Sequence, residues 1–226
     1  MNKIKVIGIG GIGGCLLPLL ARYSNFSLEQ VEITLVDGDR FEEKNATRQK
    51  FESLGNKAEV VSTALQKEFL RVVFNSRPLY LTTDNIVENI RENDVIFLCV
   101  DNHATRKLVS DRCEELDNVV LFSGGNELTD GNVQIFIRKD GENITLPLTS
   151  SYHPEIQFPS DDNPAEGSCE SLAESEPQIL FTNNAIAAAM LNAYFAHSEG
   201  KLRYDEVYID IITNNVRQVN RSNAGA

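Results

Sequence analysis

Over the first 122 residues, short apolar runs alternate with stretches in which apolar residues recur every three or four positions. That alternation is the pattern of strands interleaved with helices. A strand from residue 4 runs into Gly8-Ile9-Gly10-Gly11-Ile12-Gly13-Gly14, a helix is expected over residues 14–23, and a second strand over 31–36, which together make one βαβ unit. Residues 57–74 carry a helical stripe at Val61, Ala64, Leu65, Phe69, Val72 and Val73. A short strand is expected at 78–81, a short helix at 86–91, a buried strand at 94–100, a helix at 103–116 and another buried strand at 119–122. The order predicts an α/β fold, a Rossmann-like doubly wound and mostly parallel sheet.

Beyond Ser123 the pattern changes. Val133, Ile135 and Ile137 alternate with Gln134, Phe136 and Arg138, so an antiparallel extension is expected in the C-terminal part. Residues 147–178 form a long crossover loop with five prolines between 147 and 177, and seven acidic residues but no Lys or Arg between 155 and 176. A long helix follows at 179–195, with Ile186, Met190, Leu191, Tyr194 and Phe195 expected toward the core. Strands at 206–212 and 215–219 complete a single domain of residues 1–219, and 220–226 is read as a mobile tail.

Charge narrows the partners. With 33 acidic against 21 basic residues, the net charge of -12 opposes a nucleic-acid surface, which needs a basic face. The longest strongly apolar run, residues 185–195, is too short to cross a bilayer, so no membrane partner and a cytoplasmic location are expected. Four cysteines without a C-x-x-C pair form no zinc framework. Cys15, Cys99 and Cys113 lie in apolar segments and read as buried hydrophobes, whereas Cys169 has polar surroundings.

Five glycines in seven residues at a strand–helix junction suit close approach of backbone to a phosphate. Asp37 ends the second strand, at the distance where a dinucleotide-type fold places an acid on the ribose. The charged stretch 37–50 then reads as a loop at the carboxyl end of a strand, where open α/β sheets bind ligands.

Gly8-x-Gly10-Gly11-x-Gly13, Asp37-x-Asp39, Asn45-x-x-Arg48-Gln49 and Val100-Asp101-Asn102 with Arg106 beyond, in that order, resemble the adenylation domain of the ThiF/MoeB and ubiquitin-activating enzyme superfamily. Residues 168–174 and 178–183 add a less specific likeness to bacterial ThiF-like proteins of small ubiquitin-like conjugation systems. The resemblance implies ATP and Mg²⁺ as cofactors and, as substrate, a ubiquitin-like or sulfur-carrier protein ending in glycine. Its C-terminal carboxylate would be adenylated.

On that resemblance Gly10 and Gly11 approach the phosphates, Asp37 binds the ribose, Arg48 and Lys57 neutralise the triphosphate, Asn45 orients it, and Asp101 holds the metal. Asp39, Gln49 and Asn102 complete the cofactor set. Cys169 is the candidate for thioester formation; the acids around it oppose a thiolate, and a helix cap at Ser171 would favour one. A structural or incidental cysteine is the competing reading. Taken singly, Asp101 is equally a cap for the helix after it, and Arg48 and Lys57 read first as solvated surface charges; the joint pattern is what overturns those readings.

The two C-x-x-C motifs of many MoeB-like proteins are absent, so no zinc is expected. Many relatives also carry a helix before the first strand, with an arginine that reaches the partner subunit's site. Arg40 or Arg106 is the substitute considered for it, and a homodimer and a downstream conjugating or sulfurtransferase protein are the partners implied. Two other functions compete: an NAD-dependent oxidoreductase of Rossmann type, which lacks a Tyr-x-x-x-Lys pair here, and a non-catalytic nucleotide-binding adapter.

Overall fold

The computed structural model describes residues 2–43, 52–165 and 180–221. Strand β1 (Asn2–Ile7) leads into helix α1 (Gly11–Asn25), then come β2 (Val31–Val36), α2 (Lys57–Glu68), β3 (Val72–Arg77), α3 (Ile86–Asn89), β4 (Val95–Leu98), α4 (His103–Glu114) and β5 (Val119–Asn126). The second part contains β6 (Asp130–Lys139), β7 (Glu142–Asn143), α5 (Pro154–Gln157), α6 (Leu180–Ser198), β8 (Glu206–Asp210) and β9 (Asn215–Val219). The described strands form one sheet in the order β3-β2-β1-β4-β5-β6-β8-β9, with β7 paired to β6. The first five are parallel; from β6 onward every pairing is antiparallel.

Because β1 through β5 are covered on both faces, two cores form, one on each side. On one side α1, α2 and α6 lay Leu16, Leu17, Leu20, Ala58, Ile186 and Met190 against Ile4, Val6, Ile33 and Phe122. On the other, α3, α4 and α5 lay Ile86, Val109, Cys113 and Ile156 against Ile7, Ile96, Leu98 and Leu121. Cys99 and Cys113 are buried as expected, and burial pushes both thiols up, Cys99 to about 12. Cys15 is half-buried.

Several elements differ from the sequence reading. Helix α1 starts at Gly11, three residues earlier than residue 14, because burial of Ile12 and Leu16 outweighs the poor helix propensity of the glycines. The stripe read as one helix over 57–74 is two elements: α2 stops at Glu68, and Val72 and Phe74 point inward from β3 while Val73 and Asn75 are exposed. Residues 78–81 are an irregular connection rather than a strand, with the Leu79 N–H bonded to the Arg77 carbonyl. The crossover region carries the one-turn helix α5, and Phe195 of α6 is 51% exposed rather than core-facing.

The antiparallel part is held by charge as well as by apolar packing. His153 is buried between Glu155 and Glu206, its ring nitrogens 2.8 and 2.9 Å from their carboxylates. Burial lowers its pKa, but these two partners outweigh that effect and the net shift is upward. Arg221, read as part of the mobile tail 220–226, is 1% exposed. Its N–H donates to Asp205 Oδ1 at 2.7 Å and its guanidinium to the carbonyls of Ile135 and Leu146 at 3.1 and 3.0 Å. An isolated sequence position gives no sign of such partners, because they lie 16 to 86 positions away in the chain. Residues 222–226 lie outside the described residues.

Candidate active site

The strand order reverses between β1 and β4, and the segments after their carboxyl ends define the crevice in which open α/β sheets bind ligands. The glycine loop follows β1, Asp37 follows β2, and Asp101 follows β4. The predicted residues 8–13, 37, 39, 57, 101 and 102 all come from segments at that edge of the sheet. Asn45, Arg48, Gln49 and Cys169 lie outside the described residues.

Each glycine has its own reason to be there. Gly8 has φ +88 and lies against the backbone of Cys99 and Val100, where a Cβ would come within 2.9 Å. A Cβ on Gly13 would sit 2.1 Å from the Gly8 carbonyl oxygen, and one on Gly11 would sit 2.3 Å from the Asn183 side chain. These three glycines let protein meet protein. Gly10 is the N-cap of α1 and provides no side-chain cap, and no acidic residue occupies the first turn, so this positive helix end faces the crevice without an anionic partner of its own.

Asp37 is buried and spans two segments: Oδ2 accepts from the Ile9 N–H at 2.5 Å and Oδ1 from the Asp39 N–H at 2.8 Å. Burial pushes its pKa up to about 6 even though Lys57 and the two N–H groups favour the ionised form. Asp39 accepts from Lys57 Nζ at 2.8 Å and from the Tyr80 hydroxyl. Burial raises the Asp39 pKa, but Lys57 and Tyr80 outweigh it, and the net shift is downward. Lys57 is therefore a buried cation paired with Asp39, which excludes the reading of it as a free surface charge.

Two residues of this region were missed in the sequence. Asn56 caps α2, its Oδ1 accepting from the Glu59 N–H at 3.2 Å while Nδ2 donates to the carbonyls of Asp37 and Asp39 at 2.8 and 3.0 Å. Asn56-x-x-Glu59 was a legible helix-start signal. Tyr80 packs its ring over Gly38, where a Cβ would come within 2.5 Å of it; nothing in the sequence announces this, since the contact crosses 42 positions.

On the β4 side, Asn102 is the N-cap of α4, its Oδ1 accepting from the Thr105 N–H at 2.8 Å. Asp161 adds a second cap from the crossover region, accepting from the N–H groups of His103 and Ala104 at 2.7 and 3.0 Å. With those two residues capping the helix, Asp101 is not the cap. Its carboxylate is exposed and makes no hydrogen bond among the described residues. Arg106 turns inward and donates to Ser123 Oγ and to the carbonyls of Val100 and Gly124 at 2.8, 2.6 and 2.8 Å, so it ties β4 to β5 and does not reach toward another subunit. Arg40 is exposed.

A parallel 3-2-1-4-5 sheet with a glycine loop, a helix N-terminus and a strand-end carboxylate at its switch point defines a Rossmann-like doubly wound α/β protein. The sequence places it further. The chain belongs to the ThiF family, whose sequence model matches residues 1–223.

Its relatives include the adenylyltransferase and sulfurtransferase UBA4 of Debaryomyces hansenii, 32% identical over 138 residues, covering 59% of this chain and 30% of the relative. The sulfur carrier protein adenylyltransferase of Thermus thermophilus is 32% identical over 138 residues, covering 59% of this chain and 49% of that protein. The chain spans 30 to 45% of the length of the first relatives it matches. Among solved structures, E. coli MccB with ATP matches at TM-score 0.70 and 18% identity, over 97% of this chain and 63% of that one. The microcin C7 biosynthetic enzyme MccB in complex with N-formylated MccA matches at TM-score 0.73 and 20% identity, over 97% and 64%. At these identities the structural matches speak to the fold.

Among the described residues no helix is long and apolar enough to cross a membrane, and no cluster of three or more His, Cys, Asp or Glu side chains is arranged to hold a metal ion.

Proposed function

We propose that this chain uses ATP and Mg²⁺ to adenylate the C-terminal glycine of a ubiquitin-like or sulfur-carrier protein. The observation that carries this reading is the ThiF family match across residues 1–223, with relatives named as adenylyltransferases of sulfur-carrier and molybdopterin-synthase systems. In the reaction a carboxylate oxygen of the carrier attacks the α-phosphorus of ATP, the bond to the β-phosphate oxygen breaks, and pyrophosphate leaves. Catalysis of this kind rests mostly on positioning and electrostatics.

The residues suit those tasks. The uncapped N-terminus of α1 at Gly10 and Gly11 offers N–H groups to phosphate oxygens. Asp37 retains lone pairs for a ribose hydroxyl beyond the two N–H groups it already accepts. Lys57, held beside Asp39, contributes positive charge, and Arg48, Asn45 and Gln49 belong to the same segment of sequence. Asp101, an exposed oxygen donor without a hydrogen-bond partner among the described residues, fits the hard ion Mg²⁺, which would neutralise charge on the triphosphate when bound. Cys169 is the proposed acceptor of the activated carboxyl group as a thioester, and a homodimer with a downstream conjugating or sulfurtransferase partner remains part of the proposal.

Carrier-dependent ATP–pyrophosphate exchange tests the reading. Exchange that requires a glycine-terminated carrier supports it, and absence of exchange with every such carrier refutes it. Cys169→Ala is expected to leave exchange intact and to abolish a thiol-sensitive adduct with the carrier.

A further inference from the structure

Helix α6 places a buried polar group against the start of α1 that the sequence pattern conceals. Thr182 Oγ donates to the Leu128 carbonyl at 2.8 Å and fixes the start of α6 on the turn between β5 and β6. Asn183, next in sequence, lies one helical turn before the core residues Ile186 and Ala187, on the face that packs inward. It is 0% exposed. Neither Oδ1 nor Nδ2 has a hydrogen-bond partner among the described residues. A buried carboxamide without partners is a costly arrangement that native proteins rarely keep without a use.

Its position supplies the use. A Cβ on Gly11 would lie 2.3 Å from Asn183 Nδ2 and 2.7 Å from Oδ1, so the amide fills the space that any other residue at position 11 would need. Gly11 is the first residue of α1, whose N-cap has no side-chain bond. The first turns of α1 and α6 meet here, and neither carries an acidic residue. The uncapped N-terminus of α1 and an N–H donor unused among the described residues select for an oxyanion.

We propose that Asn183 is a phosphate ligand of the nucleotide site, its Nδ2–H donating to a phosphate oxygen seated at the N-terminus of α1. This makes Asn183 a catalytic residue supplied by the last helix, and the inference rests on the reading of that site as an ATP site. An apolar replacement of similar branching removes the donor without leaving a void, and the amide has no hydrogen bond to lose among the described residues.

The test is calorimetric titration of the full chain with MgATP alone, for the wild type, Asn183→Leu and Asn183→Ala, alongside the thermal midpoint of each without nucleotide. Asn183→Leu is expected to melt at or above the wild-type temperature and Asn183→Ala below it, because Ala leaves a cavity beside Gly11. Both are expected to bind MgATP at least tenfold more weakly. Wild-type affinity in the Leu variant, or an affinity loss confined to the Ala variant, overturns the assignment, and so does a wild-type protein that binds no MgATP. An Asn183-dependent MgATP site in a protein that catalyses no exchange with any glycine-terminated carrier refutes the adenylation reading and leaves the phosphate ligand standing.

Discussion

The crevice has two walls of opposite character. The wall built on β1, β2 and α2 is internally satisfied: Asp37, Asp39, Asn56, Lys57 and Tyr80 bond to one another and to the glycine loop. On the other side, Asp101 after β4, exposed, and Asn183 of α6, buried against Gly11, have no hydrogen-bond partners among the described residues. Polar groups that find partners within the protein set the shape of a site, and groups left without them are available to a ligand. Substitutions in the first wall should therefore register as stability, and those in the second as binding and rate.

The largest expected effect breaks the packed wall. Gly13→Ala forces a Cβ to within 2.1 Å of the Gly8 carbonyl oxygen, a backbone atom with nowhere to go. A loss of about 3 kcal/mol or more is expected in urea unfolding. Gly14→Ala is the matched control: nothing lies within 4 Å of its added methyl, and a gain of up to about 1 kcal/mol follows from helix propensity. Equal losses at the two positions would refute the packing account of the glycines.

Asp101→Asn probes the open wall. With no hydrogen-bond partner to lose among the described residues, its unfolding free energy should stay within about 0.5 kcal/mol of wild type. ATP–pyrophosphate exchange should fall about 100-fold, the scale of losing one electrostatic contact to a reacting phosphate. A destabilised variant would mean that Asp101 belongs to the satisfied wall after all.

Asp37 joins the two kinds of behaviour through pH. Its pKa of about 6 lies above the ordinary 3.8, so its contribution to stability is full below pH 3.8 and is lost as pH rises through about 6. Binding runs the other way. The ionised carboxylate is the form that accepts both N–H groups and a ribose hydroxyl, so MgATP affinity should drop about tenfold per pH unit below about 6. Asp37→Asn should flatten that dependence, and an unaltered profile in this variant would assign the titration elsewhere.

His153 lies away from both walls and should give the smallest effect. Its folded pKa is raised above 6.5, so its contribution is fully present below pH 6.5 and is lost as pH rises through the folded value. His153→Gln should cost about 1–2 kcal/mol below pH 6.5 and progressively less above it, as read from denaturant midpoints across pH. A cost independent of pH would show that its hydrogen bonds matter and its charge does not.

Much of the parallel half was legible in sequence because its strands are near-continuous apolar runs and its glycines punctuate the chain. Val72 and Val73 misled because their spacing from Phe69 fits a helix, while their β-branching, the better signal, belongs to β3. Asp37, Asp39 and Lys57 could be named from their spacing, but not their bonds to one another, since Tyr80 and Asn56 enter only through folding. Asn183 was hidden by its neighbours: in a helix that carries Asn183, Asn184 and Asn192 among alanines, the sequence does not say which amide turns inward. Its burial follows from Gly11, 172 positions earlier.

Arg221 imposes an order in time. Chains emerge N-terminus first, so β1 through β5 are available to one another once residue 126 has been made. The carbonyls of Ile135 and Leu146 wait for a guanidinium 86 and 75 residues downstream. Until β8 and Arg221 arrive, β6 presents a long unpaired edge beside a finished parallel sheet. A ribosome paused in that interval holds the form most open to pairing with the wrong strand.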